Sequence, residues 1–493
     1  MDTNLEREVK LGVPRAFSLA RLEARLDGFV TTPTRWRRLH TIYYDTDDLR
    51  LTRWGLSLRY RRGQGWTLKL PVPRASKGLV REEHVFAGAA DAVPQGVLDL
   101  ATAYLRGAVP HPVAELRTLR ATRHVYSGDG EDLAELAEDD VRVVEGSHVV
   151  QRFRELEIEL GAPAADALLD ELTAVLRGAG AGSPDPTPKN VRALGPRASE
   201  PEIIVPAVDA RSSAGEVARA ALARAAERFV RYDTILRLEP EAEAVHQARV
   251  AIRRMRSDLR TFRSVLDPAW ANELRERLRW IGDTLSAARD ADVLLARLDA
   301  DGEALPQVDR RRIDTVIAPL RDAREEAYRA VAATLREPRY VELLGAIVEA
   351  ARAPVLGTYA DTPAGDAATV VVGGAWKKLR KAVRRRSRPP ADRELHDIRI
   401  KAKRVRYAAE AIAPAAGPRA RRLARRVEAL QTVLGTQHDA ATASATLRRI
   451  AQHDDAMFLA GELLILECQA DAKARGAWRA AWRKAKRRAR AFR

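Results

Sequence analysis

Carboxylates and cations alternate along short stretches of the first 200 residues, and they are sorted by sign. Glu6, Glu8 and Lys10 share one face of a segment whose other face carries Leu5, Val9 and Leu11, with Arg7 the exception. Arg59 and Arg61 alternate with Leu58 and Tyr60, and Lys69 with Leu68 and Leu70. Glu83 follows, then Arg120 and Arg123, then Glu135 and Asp139 in phase. Last come Glu155, Glu157 and Glu159 against Leu156, Ile158 and Leu160. A merely solvated sheet face would mix signs, because opposite charges across strands stabilise and like ones do not. The sorting predicts one polar enclosure with an acidic wall and a basic wall. Several carboxylates at one point stay ionised only beside a cation, and hard oxygen donors favour Mg²⁺ or Mn²⁺. Arg and Lys on the facing wall would grip phosphate oxygens, Arg through paired hydrogen bonds. Metal on one side and guanidinium on the other suits phosphoryl transfer to water.

A second pattern is written twice. His246, Arg249, Arg253, Arg256 and Arg260 recur at spacings of three and four, and His396, Arg399, Lys403 and Arg406 repeat them at a constant offset of 150. Each row is one face of a helix. Beside the rows run apolar stripes, Val245, Ala248, Ile252, Met255, Leu259, Phe262 and Leu395, Ile398, Ala402, Val405, Ala409, Ile412. Neighbouring like charges on a helix repel by about 0.2–0.5 kcal/mol per pair, so an anionic ligand is expected to compensate them, a polyanion rather than one carboxylate. A solvated charged face is the alternative, and the duplication counts against it. Neither His has a carboxylate or second His at ligand spacing, which argues against a metal role. A further repeat, Leu285–Asp290 and Leu434–Asp439, reads either as a pair of helix ends with Asp290 and Asp439 as caps or ion-pair partners, or as a ligand contact.

The elements that must position these residues differ between the halves. The first half predicts short strands joined by turns, with a hairpin at Gly63–Gly65 and helices at Ser18–Phe29, Ala92–Arg106 and Ala164–Arg177. Prolines 184, 186, 188, 196, 201 and 206 mark a connecting stretch. From Asp209 onward the pattern is helical throughout, and the basic tail Trp478–Arg493 reads as a terminal helix.

At 493 residues, two or three domains are expected. The net charge of +17 is unevenly placed: residues 1–200 hold 28 Lys/Arg and 29 Asp/Glu, leaving 57 basic and 39 acidic residues for the rest. A strongly basic half implies an anionic partner. The single cysteine, Cys468, sits in an apolar helical run and is expected to be buried. The first ten residues hold no apolar signal core, and no apolar run approaches the ~20 residues of a membrane span. We therefore expect a cytoplasmic protein.

Glu6-Arg7-Glu8-Val9-Lys10 resembles the E-x-E-x-K signature of the CYTH, or triphosphate tunnel metalloenzyme, superfamily. Leu58–Arg61, Thr67–Lys69, Arg81-x-Glu83, Arg120-x-x-Arg123, Asp139, Glu155-x-Glu157 and the segment Pro188–Leu194 extend the resemblance in order, to about residue 197. It implies an eight-stranded antiparallel tunnel with covering helices, binding a triphosphate with a divalent metal. Glu6, Glu8, Asp139, Glu155 and Glu157 are implied metal-side carboxylates, with Glu6, Glu8 and Lys10 catalytic. Lys10, Arg59, Arg61, Lys69, Arg120, Arg123 and Lys189 are implied phosphate ligands, and Glu83 also faces the tunnel. The family usually has Ser before that last lysine, where this chain has Pro188. Residues 209–493 are similar to the CHAD domain, on the strength of the duplicated H-x-x-R-x-x-x-[RK]-x-x-R helix, with 198–208 as linker. That resemblance implies two pseudo-symmetric helical bundles and inorganic polyphosphate as ligand. His246, Arg249, Arg253, Arg256, His396, Arg399, Lys403 and Arg406 would line the channel, and Arg254, Lys401, Arg404, Lys377 and Lys381 are further candidates.

The whole reads as α+β: a metal-dependent triphosphatase, acting on inorganic triphosphate, joined to a polyphosphate-binding domain that associates it with polyphosphate granules. Rival readings are a thiamine triphosphatase or nucleotide-acting tunnel, and a non-catalytic polyphosphate scaffold. Nucleic-acid binding is disfavoured, because aromatic residues are only 5% and the basic helices have no interleaved stacking platform.

Overall fold

The computed structural model of the protein describes residues 2–21, 30–71, 79–127, 129–161, 164, 166–238, 241–310, 312–452 and 454–492. The chain divides into two units, Met1–Glu202 and Ile203–Arg493.

The first unit is a closed sheet. Its strands are β1 (Asp2–Gly12), β2 (Val30–Thr31), β3 (Arg35–Asp45), β4 (Ser57–Arg61), β5 (Gly65–Pro71), β6 (Leu79–Phe86), β7 (His111–Tyr126), β8 (Asp132–Glu145) and β9 (His148–Leu160). Eight of them form a ring in the order β7-β3-β4-β5-β6-β1-β9-β8, closed by pairing of β8 back onto β7, and the short β2 extends the end of β7. Every pairing is antiparallel, as the resemblance implied. Strand β3 begins as early as Arg35, because pairing with β7 runs from Arg35↔Thr122 onward. Its first half, Arg-Trp-Arg-Arg, has no alternation for a sequence reading to find. At the β4–β5 hairpin Gly65 has φ +84°, and a Cβ there would lie 2.8 Å from the Phe86 carbonyl oxygen, so glycine is required.

Apolar residues point outward. Leu11, Leu136, Leu156 and Ile158 form one core with Leu169, Leu172 and Leu176. Those three leucines lie along one face of α4 (Asp166–Gly178), and each such burial contributes about 1.5–3 kcal/mol. Inside the ring, alternation leaves the charged side chains facing one another. The remaining helices are short: α1 (Arg50–Arg53), α2 (Gln95–Leu100), α3 (Thr102–Leu105) and α5 (Lys189–Leu194). The expected helix Ser18–Phe29 lies outside the described residues after Arg21. The chain stays packed on this unit as far as Glu202, whose carboxylate accepts from Trp54 Nε1 at 2.6 Å.

The second unit is helical: α6 (Ala214–Leu238), α7 (Ala242–Thr261), α8 (Pro268–Glu303), α9 (Gln307–Arg310), α10 (Asp314–Thr334), α11 (Pro338–Arg352), α12 (Ala364–Arg385), α13 (Asp392–Ala416), α14 (Pro418–Ile450) and α15 (Asp454–Arg488). Helices α6, α7 and α8 start 150 residues before α12, α13 and α14, so the duplication seen in one helix extends to three. The apolar stripes of α7 and α13 are buried as expected. Two expectations fail. Asp290 and Asp439 lie inside α8 and α14 rather than at helix ends, so neither is a cap. Cys468 is exposed, because α15 turns Leu463 and Glu467 inward instead, and Glu467 binds Arg297 at 2.5 Å. No described helix is long and apolar enough to cross a membrane.

Candidate active site

Register fixes which side chains enter the tunnel. In antiparallel pairs, directly opposed residues share a face. Glu8 opposes Glu159, Lys10 opposes Glu157, and Asp139 opposes both Glu155 and Arg120. Arg59 opposes Thr67 on one side, and Lys69 opposes Glu83. A cavity of about 320 Å³ results, lined by Glu6, Lys10, Arg59, Arg61, Lys69, Glu83, Arg120, Glu157 and Lys189 among others. Alternation also decides Asp139 over its acidic neighbours: Glu138 points outward and binds the Leu19 amide at 2.6 Å.

Three of the five implied metal-side carboxylates converge. Asp139, Glu155 and Glu157 are buried, and oxygens from all three lie within 4.8 Å of one another. A cation already stands at their focus. Lys189 Nζ is 2.9 Å from Asp139, 2.7 Å from Glu155 and 2.6 Å from Glu157. Arg120 adds contacts at 2.6 Å to Asp139 and 2.5 Å to Glu157. Three hard oxygen donors already arranged around positive charge fit a divalent ion of the Mg²⁺ class. Glu6 and Glu8 do not join this cluster. Glu6 binds Lys69 at 2.5 Å, and Glu8 binds Arg81 at 3.1 Å and Lys10 at 3.4 Å.

The electrostatics follow. Burial opposes the charges here, yet at Glu6, Asp139, Glu157, Lys10 and Lys189 the partners win. Lys69, Arg81 and Lys10 hold Glu6 below the usual carboxylate range against its burial. Lys189 and Arg120 do the same for Asp139, and Lys10, Lys189 and Arg120 hold Glu157 far below it. Burial opposes the charges of Lys10 and Lys189, but the carboxylates raise both ammonium groups above normal. At Glu159 burial, with Glu6 nearby, outweighs the pull of Lys69 and pushes the carboxyl up to about 7. Arg61 goes the other way, to about 10, through burial and its neighbours Arg59 and Arg120.

Pro188 does not displace Lys189. It is the extended N-cap of α5, with ψ 152°, and Lys189 takes the first helical position. Asn190 donates to Thr52 Oγ1 at 3.1 Å and Arg192 to Asp185 at 2.7 Å, which anchors the helix. Arg123 is the residue the tunnel does not receive. It opposes Leu136, a member of the outer core, so it lies on the face opposite Arg120 and is buried outside the cavity. An x-x spacing in a strand always separates two residues onto opposite faces. Arg81, missed as a contact, lines the cavity; its spacing of two from Glu83 was the available signal.

The second unit holds a separate cavity of about 800 Å³ lined by His246, Arg249, Arg253, Arg399, Lys403 and Arg406, with Arg224, Arg228 and Arg254. Arg249 binds Asp290 at 3.4 Å and Arg399 reaches Asp439 at 4.0 Å, so the second repeat is an ion-pair partner for the first in both copies. Arg254 and Arg406 share Glu410. Arg256 turns away and packs against Gly282 of α8, outside this cavity. His396 is also outside the lining and packs against His438 with the rings tilted by 47°, their Nδ1 atoms 3.2 Å apart. Burial and surrounding cations lower both, and His246 likewise. Burial, then Arg399, Arg253 and Arg249, bring Lys403 down to about 7.

The CYTH domain model matches residues 4–189 and the CHAD domain model residues 220–448. The chain belongs to the family that joins a CYTH domain to a CHAD domain. An uncharacterized protein, Rv2226, of Mycobacterium tuberculosis (strain ATCC 25618 / H37Rv) is 30% identical over 438 residues, covering 83% of this chain and 81% of its own. An uncharacterized protein of strain CDC 1551 / Oshkosh, MT2285, matches with the same identity and coverage. Among solved structures, the CHAD domain from the plant Ricinus communis is 27% identical with TM-score 0.46, covering 57% of this chain and 94% of its own. PptA from Streptomyces chartreusis is 22% identical with TM-score 0.47, covering 55% of this chain and 100% of its own. The CYTH match places the first unit among divalent-metal-dependent triphosphatases and adenylate cyclases.

Proposed function

We propose that the CYTH unit hydrolyses inorganic triphosphate with Mg²⁺ or Mn²⁺, and that the CHAD unit binds inorganic polyphosphate. One observation carries the first part: a small tunnel cavity is lined by Glu157 together with Arg59, Arg61, Lys69, Arg120 and Lys189, and Glu157 converges with the buried carboxylates Asp139 and Glu155, which Lys189 also contacts. Asp139, Glu155 and Glu157 would hold the metal, which supplies charge neutralisation of the phosphates and lowers the pKa of attacking water. Arg59, Arg61 and Lys69 bind the phosphate oxygens. Lys10 and Arg120, placed between phosphate side and carboxylate side, stabilise the charge that grows on the transferring group. Glu6 and Glu8 hold Lys69, Arg81 and Lys10 in position.

Inorganic triphosphate is favoured over thiamine triphosphate or a nucleotide by the size and polarity of the cavity. At about 320 Å³ it is at the small end for ligand sites, and Tyr43, Val85 and Pro188 are its only apolar or aromatic lining among the described residues. Phosphate release from triphosphate, thiamine triphosphate, ATP and long polyphosphate, with and without Mg²⁺ or Mn²⁺, tests the reading. Triphosphate should be turned over fastest, only with metal, and Arg120→Ala should lower kcat by about 10²–10³. Faster turnover of a nucleotide would overturn the substrate assignment. No turnover of any compound, with polyphosphate binding intact, would leave the scaffold reading.

A further inference from the structure

The duplication in the CHAD unit is imperfect at one position. A helix turns about 100° per residue, so Arg254 and Arg256 lie on opposite edges of α7, as do Arg404 and Arg406 on α13. The central channel takes one edge from each helix, Arg254 and Arg406. The offset of 150 relates these to Arg404 and Arg256. Arg404 lines a different cavity, of about 740 Å³, with Arg260, Arg263, Arg275 and Lys378. Arg256 turns toward the same side, against Gly282.

The two lobes are not chemically equivalent. In the first, Glu410 accepts from both Arg254 and Arg406, and Asp258 and Glu428 complete their pairing. The residue 150 positions earlier is Arg260. Where one lobe has a carboxylate, the other has one more cation. Five cations line the second cavity with no carboxylate among its described lining residues, and none of the five makes an ion pair with a described residue. Arg275 donates to Asn272 at 3.0 Å, while its Nε is buried with no partner among the described residues. Burial, then repulsion from Arg404 and Arg275, lowers the pKa of Arg260.

We propose that this cavity is a second anion site, which takes the continuation of a linear polyphosphate held in the central channel, so that the polymer leaves the channel on the α8–α12 side. The proposal rests on the polyphosphate reading above. Continuity comes from α7 itself: Arg253 lines the channel and Ser257 and Arg260 line the second cavity, about 10 Å further along the helix axis. A small anion needs one of these places; only a polymer uses both. No aromatic side chain lies among the described lining residues, so a nucleic-acid strand would find no stacking surface.

Titration calorimetry of the full chain with polyphosphates of graded length, at several salt concentrations, decides it. The variant R260Q/K378Q/R404Q should bind short chains as the wild type does. Its affinity for long chains should fall at least tenfold, and its salt dependence should become shallower by about two counterions. Glu410→Gln should do the reverse, strengthening long-chain binding several-fold by opening the other lobe. Unchanged long-chain affinity in the triple variant, with helical content and thermal midpoint preserved, overturns the proposal; so does equal weakening for short and long chains. If the wild type binds no polyphosphate of any length, the underlying reading fails instead.

Discussion

Lys189 touches three carboxylates that a divalent ion would also need, so ammonium and metal compete for one place. Lys189→Gln should therefore lower the thermal stability of the metal-free protein, because removing one partner from a buried ionic cluster costs about 3–5 kcal/mol. It should also bind Mn²⁺ more tightly than the wild type in the absence of substrate, and Mn²⁺ should restore the lost stability. Calorimetry and the spin-resonance signal of free Mn²⁺ measure both; weaker Mn²⁺ binding in the variant would refute the competition. A second residue-scale effect belongs to Lys403, whose pKa is brought down to about 7 by burial and by Arg399, Arg253 and Arg249. A lysine depressed in the folded state costs stability while it is protonated. The unliganded CHAD unit should thus gain stability as pH rises from about 7 toward the unfolded lysine value near 10.4. A bound polyanion favours the charged amine, so polyphosphate binding should take up a proton and weaken above pH 7, by at most about tenfold per pH unit. Lys403→Arg should flatten that dependence. Residue identity was readable where alternation was strict, as at Asp139. It failed at Arg123, because the motif was carried over by order while the strand period of two placed Arg123 outside the tunnel.

Among the elements, the paired helices α7 and α13 show how far periodicity reaches. The stripes were legible because 3.6-residue spacing puts His246, Arg249, Arg253 and Arg256 within one arc. Which edge of that arc meets the channel was not, since it depends on how α6, α8, α12 and α14 pack around the pair. Arg256 and Arg406 are equivalent by offset, yet only Arg406 lines the channel. Arg253→Ala should weaken binding of short polyphosphate by about tenfold or more, as expected for one charge-assisted contact of about 1.5–3 kcal/mol. Arg256→Ala should leave it within about twofold. Equal losses in direct titration would mean the channel wraps both edges. Elements without a regular pattern were the ones missed. The first half of β3 is held by pairing with β7, a long-range partner that local sequence does not announce.

At the scale of the molecule, the charge division matters more than its total. Residues 1–200 are nearly neutral, with 28 basic and 29 acidic side chains, while the remainder carries 57 and 39. The tunnel cavity is thus built largely from internally paired charges, and the helical unit holds the excess. On the function proposed above, joining them is expected to change kinetics without any new contact. A polymer held by one unit is presented to the other at an effective concentration set by the connecting chain, of order millimolar for a short one. The advantage exists only for ligands long enough to occupy both units. We therefore expect the intact chain to cleave long polyphosphate with a lower KM than residues 1–202 alone, at unchanged kcat. For triphosphate itself, which is too short to occupy both units at once, the two proteins should give the same KM. Mixing the separate units should not reproduce the gain, because the tether is what concentrates the substrate. A gain on mixing, or a KM shift for triphosphate as well, would point to contact between the units rather than to shared polymer.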